Sequence, residues 1–313
     1  MKLRGVLALH NGLLCKKEAL DTYSATIGGE KVDVHFPAYN QPADIEHSCG
    51  MMNPMLPPDG FEGFKRDNRM LEWGYPRDYP AGDCEVRYLA FVVNCEDENA
   101  AHVADAVYES IDRWNDSFLK YCFLYNKQIT AREWVENNSY QFFRLFQGNT
   151  CIPPAENVIN MTLSVAKPES FLSKDQIQKA VDFASSDREL LFEYELLLKA
   201  YQEYGKGNDR YAILDAASAL EHCLFTQIEN MCVQHDIVPE LILKKYRTLG
   251  ERFKAVQSLD PSFSIKDIES TVVVPRNSIM HNGNVEIDSR TAFELLKKTD
   301  EILHYFYNDF YVE

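Results

Sequence analysis

The first part of the chain alternates short apolar runs with glycine-containing turns, a pattern typical of β-hairpins. The runs RGVLALH and LLCKK flank Asn11 and Gly12, a dipeptide that supplies the positive φ angles of a tight turn. A second hairpin is predicted around Gly28 and Gly29, because apolar and polar residues alternate over 32–36 as in a half-buried strand. The chain is therefore expected to begin with β structure.

The next region is rich in proline and ends in a strand. Seven of the 13 prolines lie between His35 and Cys84, and proline breaks both helix hydrogen bonding and the pairing of central strands. We therefore expect a long loop or an insertion there. The run EVRYLAFVV at 85–93 then predicts a strand.

Helical spacing of apolar residues follows directly. It predicts a long helix over 103–125 and a shorter one near 131–146, with a further strand at 157–165. Together with the hairpins, these elements predict an α+β N-terminal domain over residues 1–168.

Beyond Pro168 the apolar spacing is helical to the end of the chain. Ser173 and Gln176 form a capping box in front of a helix predicted to run to about Tyr204. Further apolar stripes, separated by turn residues, predict helices at about 209–233, 242–256, 264–282 and 288–310. Short connections between these helices predict an antiparallel, all-α bundle over residues 169–313.

The charge of the chain restricts how it can meet nucleic acid. The formal net charge is −16, and each side of residue 170 carries 16 basic and 24 acidic residues. No basic domain is therefore available for strong nonspecific binding, so any RNA contact must be local. The opening segment has too short an apolar run for a signal peptide or a bilayer span, so we expect a cytoplasmic protein with no membrane partner.

The cysteines do not form a recognisable metal or disulfide pattern. Eight are present without a CxxC pair, so we expect reduced thiols. His35, His47, Cys49 and Cys84 lie in the loop-rich region and are the residues that a zinc ion would use there, but structural zinc ligands usually come in closely spaced pairs. We therefore expect neither a metal site nor a cofactor.

One segment near the end of the chain carries candidate chemistry. In PRNSIMH at 275–281, Arg276 and His281 lie within about one and a half helical turns of each other. A guanidinium offers phosphate a planar fork of donors, and an imidazole transfers protons near neutral pH. Cleavage of RNA without a metal needs those two functions.

Spacing alone is weak support, because Arg4 and His10 show a similar gap in a predicted strand. The surroundings of Arg276 add to it. The segment resembles the R-x4–6-H motif of the higher eukaryotes and prokaryotes nucleotide-binding (HEPN) superfamily, including the polar residue after the arginine, Asn277. The helix LDAASALEHCLF at 214–225 and the closing helix after the motif are also similar, so the resemblance covers about residues 175–313.

This resemblance implies a function. Its nearest relatives would be abortive-infection ribonucleases of the ApeA-like group, which implies a metal-independent endoribonuclease of a prokaryotic defence or toxin system. It also implies a homodimer, formed through the helical domain, in which two motifs face each other. Arg276 would stabilise the scissile phosphate of the RNA substrate, His281 would be the general acid or base, and Asn277 would orient the phosphate or the backbone. The domain at 1–168 resembles no family that we recognise, and we expect it to sense a trigger or an inhibitor.

Other residues have two interpretations each. Glu221 either orients Arg276 or sits at the edge of an apolar stripe, and the adjacent His222 is a weaker candidate of the same kind. Lys245 and Arg252 are seven apart in a segment with five cations, so they are predicted to share one helix face, which either touches the RNA backbone or is a solvated face. The aromatic run at 305–311 either stacks bases or, as its spacing favours, packs in the core or a dimer interface.

In an alternative interpretation, the helical domain catalyses no reaction. Arg276 and His281 would then cap helices, and the domain would be a noncatalytic dimerisation module or a module that binds nucleotides or RNA. The two readings differ in whether Arg276 and His281 line a shared cleft.

The absence of a metal motif beside Arg276 and His281 leads to a testable expectation. RNA cleavage by the chain should survive chelation with EDTA, because no HExxH, paired-carboxylate or CxxC site accompanies the pair. A cleavage assay with and without EDTA checks this. Activity that one added metal ion restores would contradict it.

Overall fold

The computed structural model describes residues 2–40, 54–66, 69–78, 82–127, 143–147, 150–152, 170–281 and 287–310. Their contacts divide into two compact units, one ending at Arg188 and the other beginning at Glu189. An antiparallel sheet dominates the first unit and helices the second. This agrees with the predicted succession of an α+β region and a helical region, although the contacts divide the chain later than residue 168.

The first unit is built on one antiparallel sheet. Its strands are β1 (Lys2–Lys16), β2 (Thr22–Ile27), β3 (Glu30–His35), β6 (Gly74–Asp78), β7 (Asp83–Asn94), β8 (Phe143–Gln147) and β9 (Thr150–Ile152). The strand order is β2-β3-β7-β1-β8-β9, with β6 also paired to β7. Two short strands, β4 (Lys65–Arg66) and β5 (Arg69–Met70), form a separate ribbon.

The predicted hairpin at Asn11 and Gly12 is wrong. Strand β1 continues through both residues and pairs with β7 on either side of a bulge between Ala8 and Leu13. Gly12 does have the predicted positive φ, at 63°, but the bulge uses it and no turn forms. A side chain there would also meet Glu85, whose Cγ lies 2.6 Å from the position of a Cβ.

Other local predictions for this unit are confirmed. Strands β2 and β3 form the second hairpin, with Gly28 and Gly29 at φ values of 63° and 82°. The strand at 85–93 is β7, and the long helix is α1 (Ala100–Asn126). The helix predicted near 131–146 is wrong at its end, where β8 begins at Phe143, and the rest of it lies outside the described residues. The strand predicted at 157–165 also lies outside them.

Aromatic packing joins α1 to the sheet and to a second helix. Trp114 meets Phe91 of β7 edge-on, with ring centroids 5.7 Å apart, and stacks on Phe118 at 5.1 Å. Helix α2 (Lys174–Ala184) packs against α1 through Phe183, which stacks on Tyr121 at 4.8 Å. The capping box of Ser173 and Gln176 is present at its start.

Helix α2 belongs to the first unit, so the single helix predicted from Ser173 to Tyr204 is wrong. The helix ends at Ala184, and the Oγ of Ser185 accepts a hydrogen bond from the backbone N–H of Thr26 in β2 at 3.0 Å. This contact ties the end of α2 to the sheet, in agreement with the division of the two units after Arg188.

The second unit is helical. Its elements are α3 (Phe192–Gly205), α4 (Asp209–Gln234), α5 (Pro239–Lys245), α6 (Leu249–Leu259), a π-helical turn (Glu269–Val273), α7 (Val274–His281) and α8 (Ser289–Phe306). Helix α4 contacts α3, α5, α6, α7 and α8. The single helix predicted over 242–256 is two helices, because Thr248 caps α6 in a reciprocal capping box with Glu251.

The glycine pair of the second hairpin offers a matched test of the fold. A methyl group on Gly28 would lie 2.2 Å from the carbonyl oxygen of Ala106 in α1, whereas one on Gly29 would meet nothing within 4 Å. Gly29→Ala should cost about 1 to 2 kcal/mol because of its positive φ. Gly28→Ala should cost roughly 1 to 3 kcal/mol more, because α1 must also move. Urea unfolding of both variants measures the difference, and equal losses would contradict the packing of the hairpin on α1.

Candidate functional site

Helix α7, which carries the candidate motif, begins with an irregular turn. The N–H of Val274 donates to the carbonyl of Glu269 five residues earlier, so the chain is π-helical just before Pro275. Proline has no N–H, and its ring collides with the carbonyl four residues back in a regular helix. The wider turn accommodates Pro275, and such turns often occur at functional sites.

Arg276 is held by two side chains. Its Nη2 donates to Oε1 of Glu221 on α4 at 2.7 Å, and its Nη1 donates to Oδ1 of Asn277 at 3.2 Å. The side chains of Arg276 and Glu221 are 25% and 35% exposed to solvent. The guanidinium is therefore oriented by protein contacts but still reaches solvent. Glu221 therefore orients Arg276, one of the two roles that its sequence position suggested.

A second arginine reaches the same residue. Nη1 of Arg252, on α6, donates to the backbone carbonyl of Glu221 at 3.2 Å, and its guanidinium lies 5.8 Å from the centre of the Phe225 ring. Its Nε is buried and makes no hydrogen bond to any residue that the structure describes. Two guanidinium groups thus converge on Glu221, which makes a local cationic site in an acidic chain.

His281 is placed differently. It is the last residue of α7, it is exposed, and it makes no hydrogen bond or ion pair with the described part of the chain. Five residues of helix rotate a side chain by about 140°, so Arg276 and His281 leave α7 on different faces. Asn277, four residues before His281, lies nearer to its face. The structure therefore brings Arg276 to Glu221 and Asn277, and it leaves His281 at the helix end.

Lys245 does not share a helix face with Arg252, so that prediction is wrong. Lys245 ends α5, whereas Arg252 lies in α6, beyond the break at Thr248. The exposed Lys245 places its Nζ 5.0 Å from the centre of the Tyr246 ring. Arg252 belongs to the site around Glu221, and no described contact brings Lys245 there.

The aromatic run at the end of the chain is used within its own unit. Phe306 stacks on Phe263 at 5.4 Å, and Phe310 meets Tyr194 edge-on at 4.9 Å. The hydroxyl of Tyr305 donates to Oδ2 of Asp260 at 2.7 Å. These contacts agree with the core packing that the spacing favoured over base stacking.

A further polar cluster lies beside Glu221. Oε1 of Glu193 accepts from the hydroxyl of Tyr307 at 2.7 Å and lies 2.9 Å from Nδ1 of His222. Glu193 is buried, with only 2% of its surface exposed. His222 was a weak candidate from the sequence, whereas Glu193 and Tyr307 were not expected. The only signal in the sequence was a glutamate between two aromatic residues, Phe192 and Tyr194.

The residues named for zinc do not form a metal site among the described residues. His35 bonds through Nδ1 to Thr22, and Cys84 donates to the carbonyl of Gly82. Burial raises the pKa of Cys84 to about 12, so this thiol stays protonated. His47 and Cys49 lie outside the described residues. Nowhere in the described ranges do three or more histidine, cysteine or acidic side chains gather as metal ligands would.

Comparisons with protein-family models, with curated proteins and with solved structures find no match to this chain. None of the described helices combines the length and the apolar character needed to cross a membrane.

Proposed function

We propose that this chain is a metal-independent endoribonuclease of HEPN type. The observation that carries the proposal is the convergence of Arg276 and Arg252 on Glu221, with Asn277 beside them. Arginine is the side chain best suited to bidentate phosphate recognition. A few cations at one point are the local contact that an acidic chain needs to hold an RNA backbone.

The contacts of Arg276 suit a preorganised phosphate site. A guanidinium has five N–H groups, and the contacts to Glu221 and Asn277 use only two of them. The remaining donors are free to stabilise the charge that builds on the phosphate oxygens during cleavage. Because Glu221 fixes the orientation of the fork, little reorganisation is needed when the substrate binds.

His281 is the proposed proton-transfer residue of the motif. Its exposure at the end of α7 leaves both ring nitrogens accessible to an RNA strand. His281 lies about 140° around α7 from Arg276, and this separation is compatible with the implied homodimer, in which the second copy completes each motif.

Exposed apolar side chains beside the site support the homodimer. Phe192 meets the ring of His222 at 5.0 Å, and Phe225 lies under Arg252. Met280 follows Arg276 by about one helical turn on α7, and all three apolar side chains are more than a third exposed. We place the dimer contact on this face of α4 and α7, because the aromatics of the last helix are already packed within their own unit. The first unit would sense a trigger or an inhibitor in a prokaryotic defence system of the abortive-infection kind.

One observation favours the alternative, a noncatalytic module that binds RNA or nucleotides, or that serves dimerisation. His281 does not share the helix face of Arg276, so within one chain the two do not form an acid–base and phosphate pair. The arginine site would then bind a phosphate chain without cleaving it. Cleavage assays on matched variants separate the two functions.

Arg276→Ala and His281→Ala should each lower RNA cleavage by about 100- to 10,000-fold, the usual worth of one positioned catalytic group. Arg276→Ala should change the free energy of unfolding by only about 1 kcal/mol or less, because the Arg276–Glu221 pair is partly exposed. Cleavage rates and urea unfolding of the full chain test both statements.

The matched controls are Arg290→Ala and His235→Ala, exposed residues of the same unit. Both should cleave like wild type. They are preferable to the Arg4 and His10 pair in β1, because Arg4 donates to the carbonyl of Gly60 and lies over Phe61. A wild-type chain that cleaves no RNA, with RNA binding lost in Arg276→Ala, would favour the noncatalytic function. Cleavage by His281→Ala at the wild-type rate would instead show that His281 is not a catalytic residue.

The full chain should have twice the mass of one chain by light scattering at micromolar concentration. Phe225→Glu together with Met280→Glu should produce monomers, because two charges would be buried in the proposed contact. Val233→Glu is the control, since Val233 is also apolar and 70% exposed but lies at the end of α4. A monomeric wild type, or dimers that persist in the double variant, would rule out this interface.

A further inference from the structure

Glu193 is a buried carboxylate whose partners are chosen by the tertiary structure. It is the second residue of α3, where the positive end of the helix dipole favours a negative charge. Only 2% of its surface is exposed, so it must find hydrogen-bond donors inside the protein. No arginine or lysine pairs with it among the described residues, and its donors come from Tyr307 and His222.

The geometry orients the ring of His222. Burial raises the pKa of Tyr307 above its ordinary range, so its hydroxyl keeps its proton and donates to Glu193. Nδ1 of His222 lies 2.9 Å from the same carboxylate oxygen. A carboxylate accepts the hydrogen of Nδ1, which leaves the lone pair of the imidazole on Nε2.

The opposite edge of this imidazole is available to solvent. The side chain of His222 is 47% exposed although its partner is buried. Phe192 packs edge-on against the ring, with centroids 5.0 Å apart and planes at 70°, and limits its rotation. A buried carboxylate, an oriented imidazole and an exposed Nε2 are the parts of a general base.

The position of His222 connects it to the arginine site. It directly follows Glu221, which holds Arg276 through its carboxylate and Arg252 through its carbonyl. The imidazole and the residue that holds both guanidinium groups are therefore neighbours in α4, about 100° apart around the helix. His281, by contrast, makes no described contact with Arg276 or Glu221.

We propose that His222 is a catalytic residue of the helical unit and that Glu193 is its positioning residue. This inference rests on the proposed ribonuclease function. Nε2 of His222 takes the proton of the ribose 2′-hydroxyl, the 2′ oxygen bonds to phosphorus, and the bond from phosphorus to the 5′ oxygen breaks. The leaving oxygen takes a proton from His281, and the products are a cyclic phosphate and a 5′-hydroxyl end.

The first test measures cleavage by variants of the full chain. His222→Gln keeps an N–H that can donate to Glu193 but cannot accept a proton, so cleavage should fall by about 100- to 10,000-fold. The KM for RNA should stay unchanged, because Arg276 and Arg252 still bind phosphate. His235→Gln, an exposed histidine of the same unit, should cleave like wild type. Glu193→Gln should lower the turnover number by at least about tenfold at unchanged KM.

The second test needs no RNA and so separates this inference from the proposed function. Nitrogen NMR of histidine-labelled protein should show His222 with its hydrogen on Nδ1, and Glu193→Gln should remove that preference. Diethyl pyrocarbonate should modify Nε2 of His222 faster in wild type than in Glu193→Gln, with His235 unchanged in both. Urea unfolding shows whether Glu193→Gln is still folded. If it is not, cleavage by His222→Gln alone tests the proposal.

Each outcome has one meaning. Cleavage by His222→Gln at the wild-type rate overturns the role of His222 and leaves the proposed function standing. Loss of cleavage with a hydrogen on Nε2 overturns the role of Glu193. A wild-type protein that cleaves no RNA defeats the proposed function, and this inference falls with it even if the tautomer is the expected one.

Discussion

Burial of helix α4 is the constraint on which the helical unit depends. The helix packs against α3, α6 and α8, and its buried stripe consists largely of small residues that allow close helix approach. Glu221 and His222 stand at the edge of that stripe, where each side chain is partly exposed and partly turned towards the neighbouring helices. Polar groups in such positions must be satisfied by the protein, and the neighbouring helices provide the partners. The candidate chemistry therefore follows from a packing requirement.

The two polar residues of α4, Glu221 and His222, obtain their hydrogen-bond partners in different ways. Glu221 receives cations from α6 and α7, whereas His222 is held by the buried carboxylate of Glu193. The result is a small cationic site beside an oriented imidazole, in a chain whose net charge is −16. Under the proposed function, such a site would bind phosphate through short-range contacts, because the field of the whole protein repels polyanions.

The first unit follows the same rule around strand β7. Glu85 is buried there, its Oε1 accepts from Nε of Arg87 at 2.8 Å, and Arg77 pairs with the other oxygen. The carboxylate side chain occupies the space that a Cβ on Gly12 would need, which explains a glycine inside a long strand. Trp114 of α1 packs against the same strand through Phe91.

Sequence alone determined the elements whose cause is local. The hairpin at Gly28 and Gly29, helix α1 and the capping box before α2 all follow from positive φ, apolar spacing or a capping side chain. Tertiary structure decided where local signals compete with long-range pairing. Strand β1 runs through Asn11 because β7 pairs with both of its halves, and that pairing outweighs the preference for a turn. The grouping of Glu193, His222 and Tyr307 likewise spans separations of 29 and 114 residues. No local pattern encodes such a contact, because only the packing of α3 and α4 and the chain after α8 brings a buried carboxylate to its donors.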